Sequence, residues 1–296
     1  MSARAKRVRS ASGSGWLPAI YLAAPIAWLV AFFFAPMVIL LVVSFQKADV
    51  FTGIGSFTGW SNYTAFFSDH AQLRVLLSTA IITTASMALM LALSLPIAYL
   101  LAFRVGRWEL PLLLLLVVAD ELNPLIRVYA WRMLLGRDGI LNSFFQLVGL
   151  VQHPIAILLF SKFAVVLVMS MEFLTYTMIP IYAALKTVDP SLLEAANDLG
   201  SRFPVTLRKV LIPLAAPGIF VAIILVGIPM LTEFVTPALV GGTSAYMIGN
   251  SIEDQILESG NWGVGAAMSF LMLVISAVLA LVAYRVGKLN RLETAT

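Results

Sequence analysis

Residues 189–200 read DPSLLEAANDLG, a polar stretch that lies between two long apolar segments. Asp189 is a favourable N-cap residue, Pro190 suits the first helical position, and Gly200 suits the left-handed residue that ends many helices. The stretch therefore predicts a rigid helix of roughly ten residues, about half the length that crosses a bilayer. We interpret this helix as a docking element at the surface of a membrane protein.

The composition indicates that the surrounding chain is embedded in a membrane. Of its 296 residues, 60% are hydrophobic and only 11% are charged, whereas a soluble domain carries about 25% charged residues. The chain contains no cysteine, which excludes disulfides, thiolate metal sites and thiol nucleophiles. The net charge is +4, and most of the lysine and arginine residues lie at the ends of apolar segments. We find no pattern that indicates nucleic-acid binding.

Six apolar stretches are long enough to cross a bilayer. They run from Leu17 to Phe45, Leu73 to Phe103, Leu110 to Leu135, Phe163 to Leu185, Leu211 to Phe234 and Trp262 to Val286. The sequence therefore predicts an all-α polytopic membrane protein with six transmembrane helices. This domain, 17–286, lies between a basic tail at 1–16 and a second tail at 287–296. Prolines at positions 25, 36, 96, 124, 180, 217 and 229 predict kinks or local openings in these helices.

The distribution of lysine and arginine predicts the orientation. Thirteen of the nineteen basic residues lie in, or directly beside, the two tails, the second connection and the fourth connection, about 187–209. Because such residues accumulate on the cytoplasmic side, both termini and the 187–209 loop are expected in the cytoplasm. Two opposite loops, from Gly139 to Val148 and from Tyr246 to Ser259, each predict a short surface helix. These helices either meet a binding protein or only seal the outer end of the bundle.

Carboxylates within the predicted spans are candidates for function, because an unpaired charge there costs about 2.5 to 3.5 kcal/mol. The candidates are Asp120, Glu121, Glu172 and Glu233. They either line a translocation path for a cationic solute or pair with arginines and hold the bundle together. Trp131 and Tyr176 either stack on an ammonium group or pack as ordinary core aromatics. On a straight helix Asp120 and Arg127 lie about 10 Å apart along the axis, too far to pair directly.

Several motifs resemble those of a known family. Glu194, Ala195, Ala196 and Gly200, followed by IPL at 212–214, resemble the EAA loop of ATP-binding-cassette importer permeases. From Leu110 to the C-terminus the order of motifs is similar to that in the permeases of spermidine and putrescine importers. These motifs are LIRVYAW at 125–131, GILN at 139–142, MIPIY at 178–182, EFV at 233–235 and MIGN at 247–250.

The chain departs from that pattern at two places. Ala119-Asp120-Glu121 stands where the family has a Pro-aromatic-Trp run, and Leu174-Thr175 stands where it has a Leu-Pro pair. The added acids favour a cationic solute. Related subfamilies import opines, thiamine, aminophosphonates or ferric iron.

The resemblance implies a type I importer permease in the cytoplasmic (inner) membrane of a bacterium. Its implied partners are a second homologous permease, a cytoplasmic ATPase dimer and an extracytoplasmic solute-binding protein. The residues implied to contact the ATPase are Glu194, Ala195, Ala196, Asp198 and Gly200. This chain is expected to hold no cofactor and no metal and to catalyse no reaction, since it lacks a G-x-x-x-x-G-K-[ST] loop. ATP and Mg²⁺ would be bound by the ATPase.

Two other classes of protein are alternatives to an importer permease. A secondary transporter would use the buried acids to couple H⁺ or Na⁺ and should show an inverted repeat, but no repeat is evident. An intramembrane protease would need a histidine within the membrane. The two histidines, His70 and His153, lie in predicted outer loops.

Overall fold

A computed structural model describes residues 17–47 and 55–293 of the chain. Within these ranges the protein is helical, and the one strand-like feature is an isolated bridge between Gln46 and Phe57. The predicted all-α class is therefore confirmed. The predicted basic tail, 1–16, and the last residues of the second tail, 294–296, lie outside the described residues.

Within the described residues, the first half of the chain contains seven α-helices. They are α1 (Leu17–Leu29), α2 (Ala35–Val43), α3 (Ser61–Ser68), α4 (His70–Phe103), α5 (Glu109–Asp120), α6 (Pro124–Leu135) and α7 (Ile140–Leu147). A π-helical turn, Val30–Phe34, joins α1 to α2 just before Pro36. Because proline donates no backbone hydrogen bond, a local opening of this kind is what Pro36 predicts. In contrast, α4 continues through Pro96 without a break.

The second half also contains seven α-helices. They are α8 (Lys162–Glu172), α9 (Leu174–Lys186), α10 (Ser191–Asp198), α11 (Phe203–Thr206), α12 (Ile212–Leu231), α13 (Ile248–Glu253) and α14 (Trp262–Glu293). A π-helical turn, Leu207–Leu211, joins α11 to α12. The short helices α7 and α13 occupy the two loops in which the sequence predicted them.

In the part of the chain that the structure describes, four continuous helical stretches are long and apolar enough to cross a bilayer. They cover Tyr21–Val43, His70–Phe103, Phe203–Leu231 and Trp262–Arg285. Helices α8 and α9 are long and apolar enough only when taken together, and they meet at a bend of 48°. This bend lies at Phe173, seven residues before Pro180, so the kink expected at that proline is displaced.

The predicted third span is not one helix, which corrects the sequence-based interpretation. It divides into α5 and α6, each of 12 residues, and each is shorter than the roughly 20 residues that a span needs. Asn123 has an extended backbone, and its side chain accepts a hydrogen bond from Leu125 N at 2.9 Å. Pro124 disfavours a helical residue before it, so the chain leaves the helix and restarts with Asn123 as the new N-cap.

The core lies where α9 packs against α4 and α12. One cluster of buried side chains, which includes Met90, Met169 and Met230, joins α4, α8 and α12. A second cluster, which includes Met178, Ile181 and Leu211, lies at the other end of α9. The helices α14, α2 and α3 pack on the outside of this centre.

Candidate functional site

A cavity of about 380 Å³ lies between α6, the α8–α9 bend, α12 and the segment that follows α12. Its polar lining consists of Arg127, Glu172, Tyr176, Glu233 and Thr236, and apolar side chains such as Val128, Phe173 and Val226 form the rest. Its volume lies in the range that small-molecule sites occupy. The structure thus brings three of the six predicted path residues, Glu172, Tyr176 and Glu233, into one cavity.

Arg127 in the cavity wall is paired with Asp120. The Arg127 guanidinium donates through Nη1 to the Asp120 carboxylate and, at 3.2 Å, to the Asp120 main-chain oxygen. The expectation that these residues are too far apart is therefore wrong, because it assumed a straight helix. The break before Pro124 interrupts that straight helix, and the Arg127 side chain reaches Asp120 across the break. The side chain of Asp120 is 9% exposed and that of Arg127 is 19% exposed.

Glu172 and Glu233 are held by hydroxyl and amide groups. Glu172, at the end of α8, is 7% exposed and accepts a hydrogen bond of 2.6 Å from Thr236 Oγ1. The Glu233 carboxylate accepts from the amides of Val235, at 3.0 Å, and Thr236, at 3.2 Å. Neither carboxylate forms an ion pair within the described parts of the chain. Thr236 bonds both acids, and nothing in its local sequence marked it out.

Of the remaining predicted path residues, Asp120, Glu121 and Trp131 do not line this cavity. Glu121 is exposed at the break between α5 and α6. Trp131 is half-buried and packs against the buried cluster that joins α4, α8 and α12. Tyr176 lines the cavity with its side chain 44% exposed.

The helix α10 has the termini that its sequence predicts. Asp189 Oδ1 accepts from the Ser191 amide at 2.9 Å, and these hydrogen bonds hold the pKa of Asp189 below its usual value. At the other end Gly200 has a φ of +72°, and Ser201 N bonds to the carbonyl of Ala196 at 3.0 Å. Glu194, Ala195 and Asp198 are exposed, so this helix presents a free surface within the described structure.

Contacts near both ends of the loop that contains α10 hold it against the bundle. The ring of Phe203, at the start of α11, lies 5.4 Å from that of Tyr99 in α4. Before the loop, Lys186 Nζ lies 2.9 Å from the Glu109 carboxylate, which also accepts a hydrogen bond from the Tyr182 hydroxyl. These two donors hold the pKa of Glu109 below its usual value. The sequence analysis did not single out this cluster, although Glu109 and Lys186 both lie on the predicted cytoplasmic side.

Comparison with known proteins identifies the family. The family described as "binding-protein-dependent transport system inner membrane component" matches residues 89–291, more than half of the chain. The chain belongs to this family. It is accordingly an inner-membrane, non-catalytic translocation subunit, and ATP hydrolysis is performed by a partner ATPase. The secondary-transporter alternative finds no support among these relatives.

Curated relatives align with nearly the whole permease. The spermidine/putrescine transport system permease protein PotB of Escherichia coli (strain K12) is 32% identical over 264 residues, which are 89% of this chain and 95% of the relative. The PotB of Haemophilus influenzae is also 32% identical over 264 residues, with 91% of the relative covered. The inner membrane ABC transporter permease protein YdcU of E. coli is 28% identical, over 92% and 90% of the two chains.

Solved structures of importers share the permease fold. A chain of the bacterial ABC transporter that imports alginate superposes with a TM-score of 0.70 at 16% identity, over 92% of this chain and 95% of that one. A chain of the MetNI methionine ABC transporter superposes with a TM-score of 0.53 at 17% identity, over 74% and 95%. The predicted importer-permease architecture is therefore confirmed, although the count of six spans is not reproduced as six unbroken helices.

Proposed function

We propose that this permease carries a polyamine, such as spermidine or putrescine, or a related cationic solute across the inner membrane. The observation that carries the proposal is the 32% identity to a spermidine/putrescine permease over 89% of the chain. The family resemblance of the motifs after Leu110 points to the same class of solute.

The charges of the cavity are consistent with a cationic cargo. Arg127 is paired with Asp120, so the carboxyl groups of Glu172 and Glu233 are the ionisable acids of the lining that no arginine or lysine pairs within the described residues. A polyamine carries ammonium groups separated by apolar methylene chains, and the cavity combines carboxylates with apolar walls. The exposed ring of Tyr176 supplies a π-face for an ammonium group.

The proposed partners are a second homologous permease, a cytoplasmic ATPase dimer that binds ATP and Mg²⁺, and an extracytoplasmic solute-binding protein. The α10 surface formed by Glu194, Ala195, Ala196, Asp198 and Gly200 would contact the ATPase. This assignment places both termini and α10 in the cytoplasm, as the distribution of basic residues predicts. The caps of α10 support it, because a helix that transmits force must be rigid.

Uptake of radiolabelled spermidine and putrescine by proteoliposomes that contain the assembled transporter tests this proposal. We expect ATP-dependent uptake that falls by about tenfold or more in Glu172→Gln and Glu233→Gln, since a charge-assisted hydrogen bond contributes about 1.5 to 3 kcal/mol. Glu121→Gln makes the same chemical change outside the cavity and should retain uptake. Uptake that continues without ATP, or transport only of anionic solutes, would overturn the proposal.

The role of α10 has a separate test. Glu194→Lys reverses the charge of an exposed residue, so insertion and folding should be preserved while ATP-dependent uptake is lost. Glu194→Asp keeps the negative charge at the same position, so it is the matched control and should retain uptake. Normal uptake in Glu194→Lys would show that α10 does not dock an ATPase.

A further inference from the structure

A second cavity, of about 320 Å³, lies at the end of the bundle opposite α10. Its polar lining comes from three places: Arg74 and Ser78 near the start of α4, Lys162 at the start of α8, and Thr243, Ser244 and Tyr246 between α12 and α13. Because α4 and α8 both begin here and α9 leads to α10, we call this the far end. The cavity shares no lining residue with the one that contains Glu172.

The lining of this cavity is cationic and unneutralised. It contains Arg74 and Lys162 but no carboxylate, and neither cation forms an ion pair within residues 17–47 and 55–293. The nearby carboxylate of Asp254 already accepts a hydrogen bond from the Tyr246 hydroxyl. Two like charges that face one cavity favour an anion between them.

A hydroxyl without a hydrogen-bond partner belongs to one of the lining residues. Ser78 Oγ is buried and has no hydrogen-bond partner in the described structure, although it belongs to a residue that lines the cavity. An unpaired buried polar group costs about 1 to 3 kcal/mol. A ligand oxygen in the cavity would remove that cost.

Apolar side chains continue from the cavity along the bundle. Leu77 and Ile81 lie three and seven residues after Arg74, so the three share one side of α4. They are 61% and 51% exposed. Phe163, next to Lys162, is 48% exposed. The cationic cavity at the helix ends is therefore adjacent to an exposed apolar surface that points towards the membrane interior.

We propose that this cavity binds the phosphate of an anionic phospholipid in the far-end leaflet. Arg74 and Lys162 contact the phosphate oxygens, since arginine and lysine both form charge-assisted hydrogen bonds with phosphate. Ser78 donates its hydroxyl, and the acyl chains lie along Leu77 and Ile81. A free phosphate ion shares the headgroup's chemistry but would make no use of this apolar surface.

Native mass spectrometry of the full-length chain, with the subunits that co-purify with it, tests the site. The delipidated protein is titrated with phosphatidylglycerol and with phosphatidylcholine of the same acyl chains. We expect about tenfold tighter binding of phosphatidylglycerol, and a loss of this preference in Arg74→Gln and in Lys162→Gln. Arg137→Gln is the matched control, because Arg137 is exposed in the far-end turn between α6 and α7 and does not line the cavity.

Each outcome of the titration decides the proposal. Loss of preference in Arg74→Gln and Lys162→Gln but not in Arg137→Gln supports it, whereas equal behaviour of all three variants overturns it. Displacement of the bound lipid by inorganic phosphate alone would assign the site to a free anion and overturn the lipid assignment. If a neutral variant fails to fold, Arg74→Lys and Lys162→Arg replace it and should retain the preference.

Discussion

The ion pair between Asp120 and Arg127 depends on the break in the helix before Pro124. Seven positions apart, they would face the same side of a straight helix at different depths. The restart of the helix at Pro124 brings the guanidinium to both the carboxylate and the main-chain oxygen of Asp120. The pair is mostly buried, and Arg127 Nε has no partner within the described structure. Arg127 therefore depends on Asp120 for its neutralisation.

Asp120→Asn should destabilise the protein strongly. Removal of one partner from a buried ion pair costs about 3 to 5 kcal/mol, because it leaves the other charge uncompensated. We expect a clear fall in the thermal unfolding temperature of the purified chain in detergent. Glu121→Gln changes an exposed neighbour and should leave that temperature nearly unchanged. A double variant, Asp120→Asn with Arg127→Gln, should unfold at a temperature between those of the single variant and the wild type. An equal fall in unfolding temperature in the single and double variants would contradict the argument.

At the scale of single elements, helix α10 has capping residues at both ends and an exposed surface. Gly200 ends it with a φ of +72°, and a Cβ at this position would meet no atom within 4 Å. A larger residue here is therefore disfavoured by backbone strain and not by a clash. For a left-handed residue with a side chain this strain is about 1 to 2 kcal/mol.

Gly200→Val should therefore reduce transport by loosening the end of α10 while the bundle stays folded. Gly200→Asn should transport nearly as the wild type does, because asparagine adopts the left-handed conformation more readily. Gly59→Val is the matched control, since Gly59 has a φ of +62° and equally open surroundings but lies just before α3. Uptake assays on the three variants check this, and equal uptake in Gly200→Val and the wild type would contradict it.

The elements also show which features a sequence can predict. The helix α10 was predicted with its caps because Asp189, Ser191 and Gly200 act over a few residues of backbone. The bend at Phe173 was not predicted, because no proline or glycine stands at that point. The Glu172 side chain beside it is bonded by Thr236, which is 64 residues away in the sequence. Glu172 and Glu233 could be predicted as candidates because acids are rare in apolar spans. The threonine that bonds both could not, because its contact with Glu172 joins residues that are distant in the sequence.

At the scale of the whole molecule, Glu109 connects two helices that are distant in the sequence. It accepts hydrogen bonds from Tyr182 and Lys186 of α9, so it ties the start of α5 to the helix that leads into α10. These contacts keep the pKa of Glu109 below its ordinary value of 4.5. A carboxylate with a lowered pKa in the folded state contributes stability above its unfolded pKa, and that stability is lost as pH falls through the folded value.

The stabilising effect of Glu109 should consequently depend on pH. Near pH 7 the carboxylate is charged in both states, and Glu109→Gln should unfold at a lower temperature than the wild type. The difference should shrink and vanish as pH falls below 4.5 and Glu109 takes up a proton. Unfolding temperatures of both proteins over this pH range measure the effect. Glu258→Gln changes an exposed residue without an ion pair in the described chain, so it should unfold at the same temperature as the wild type. A difference between Glu109→Gln and the wild type that stays constant at all pH values would refute the argument.

The centre of the molecule depends on the close approach of α9 and α12 at Gly218. A Cβ on Gly218 would lie 2.3 Å from the Pro180 carbonyl oxygen and 2.9 Å from Ile181 Cα, both of which are backbone atoms. On Gly227 of the same helix, a Cβ would meet the end of the flexible Met87 side chain at 2.6 Å. Backbone atoms in a packed core cannot move aside, whereas a methionine side chain can adopt another rotamer.

Gly218→Ala should therefore force α9 and α12 apart, while the identical change Gly227→Ala should be tolerated. Overpacking of a core typically costs about 1 to 3 kcal/mol, so we expect Gly218→Ala to unfold at a clearly lower temperature and Gly227→Ala to remain close to the wild type. Unfolding of the purified variants in detergent measures the difference. Because α9 leads to α10 and its first turns line the Glu172 cavity, Gly218→Ala should also reduce uptake. Equal stability of the two variants would mean that α9 and α12 do not require this contact.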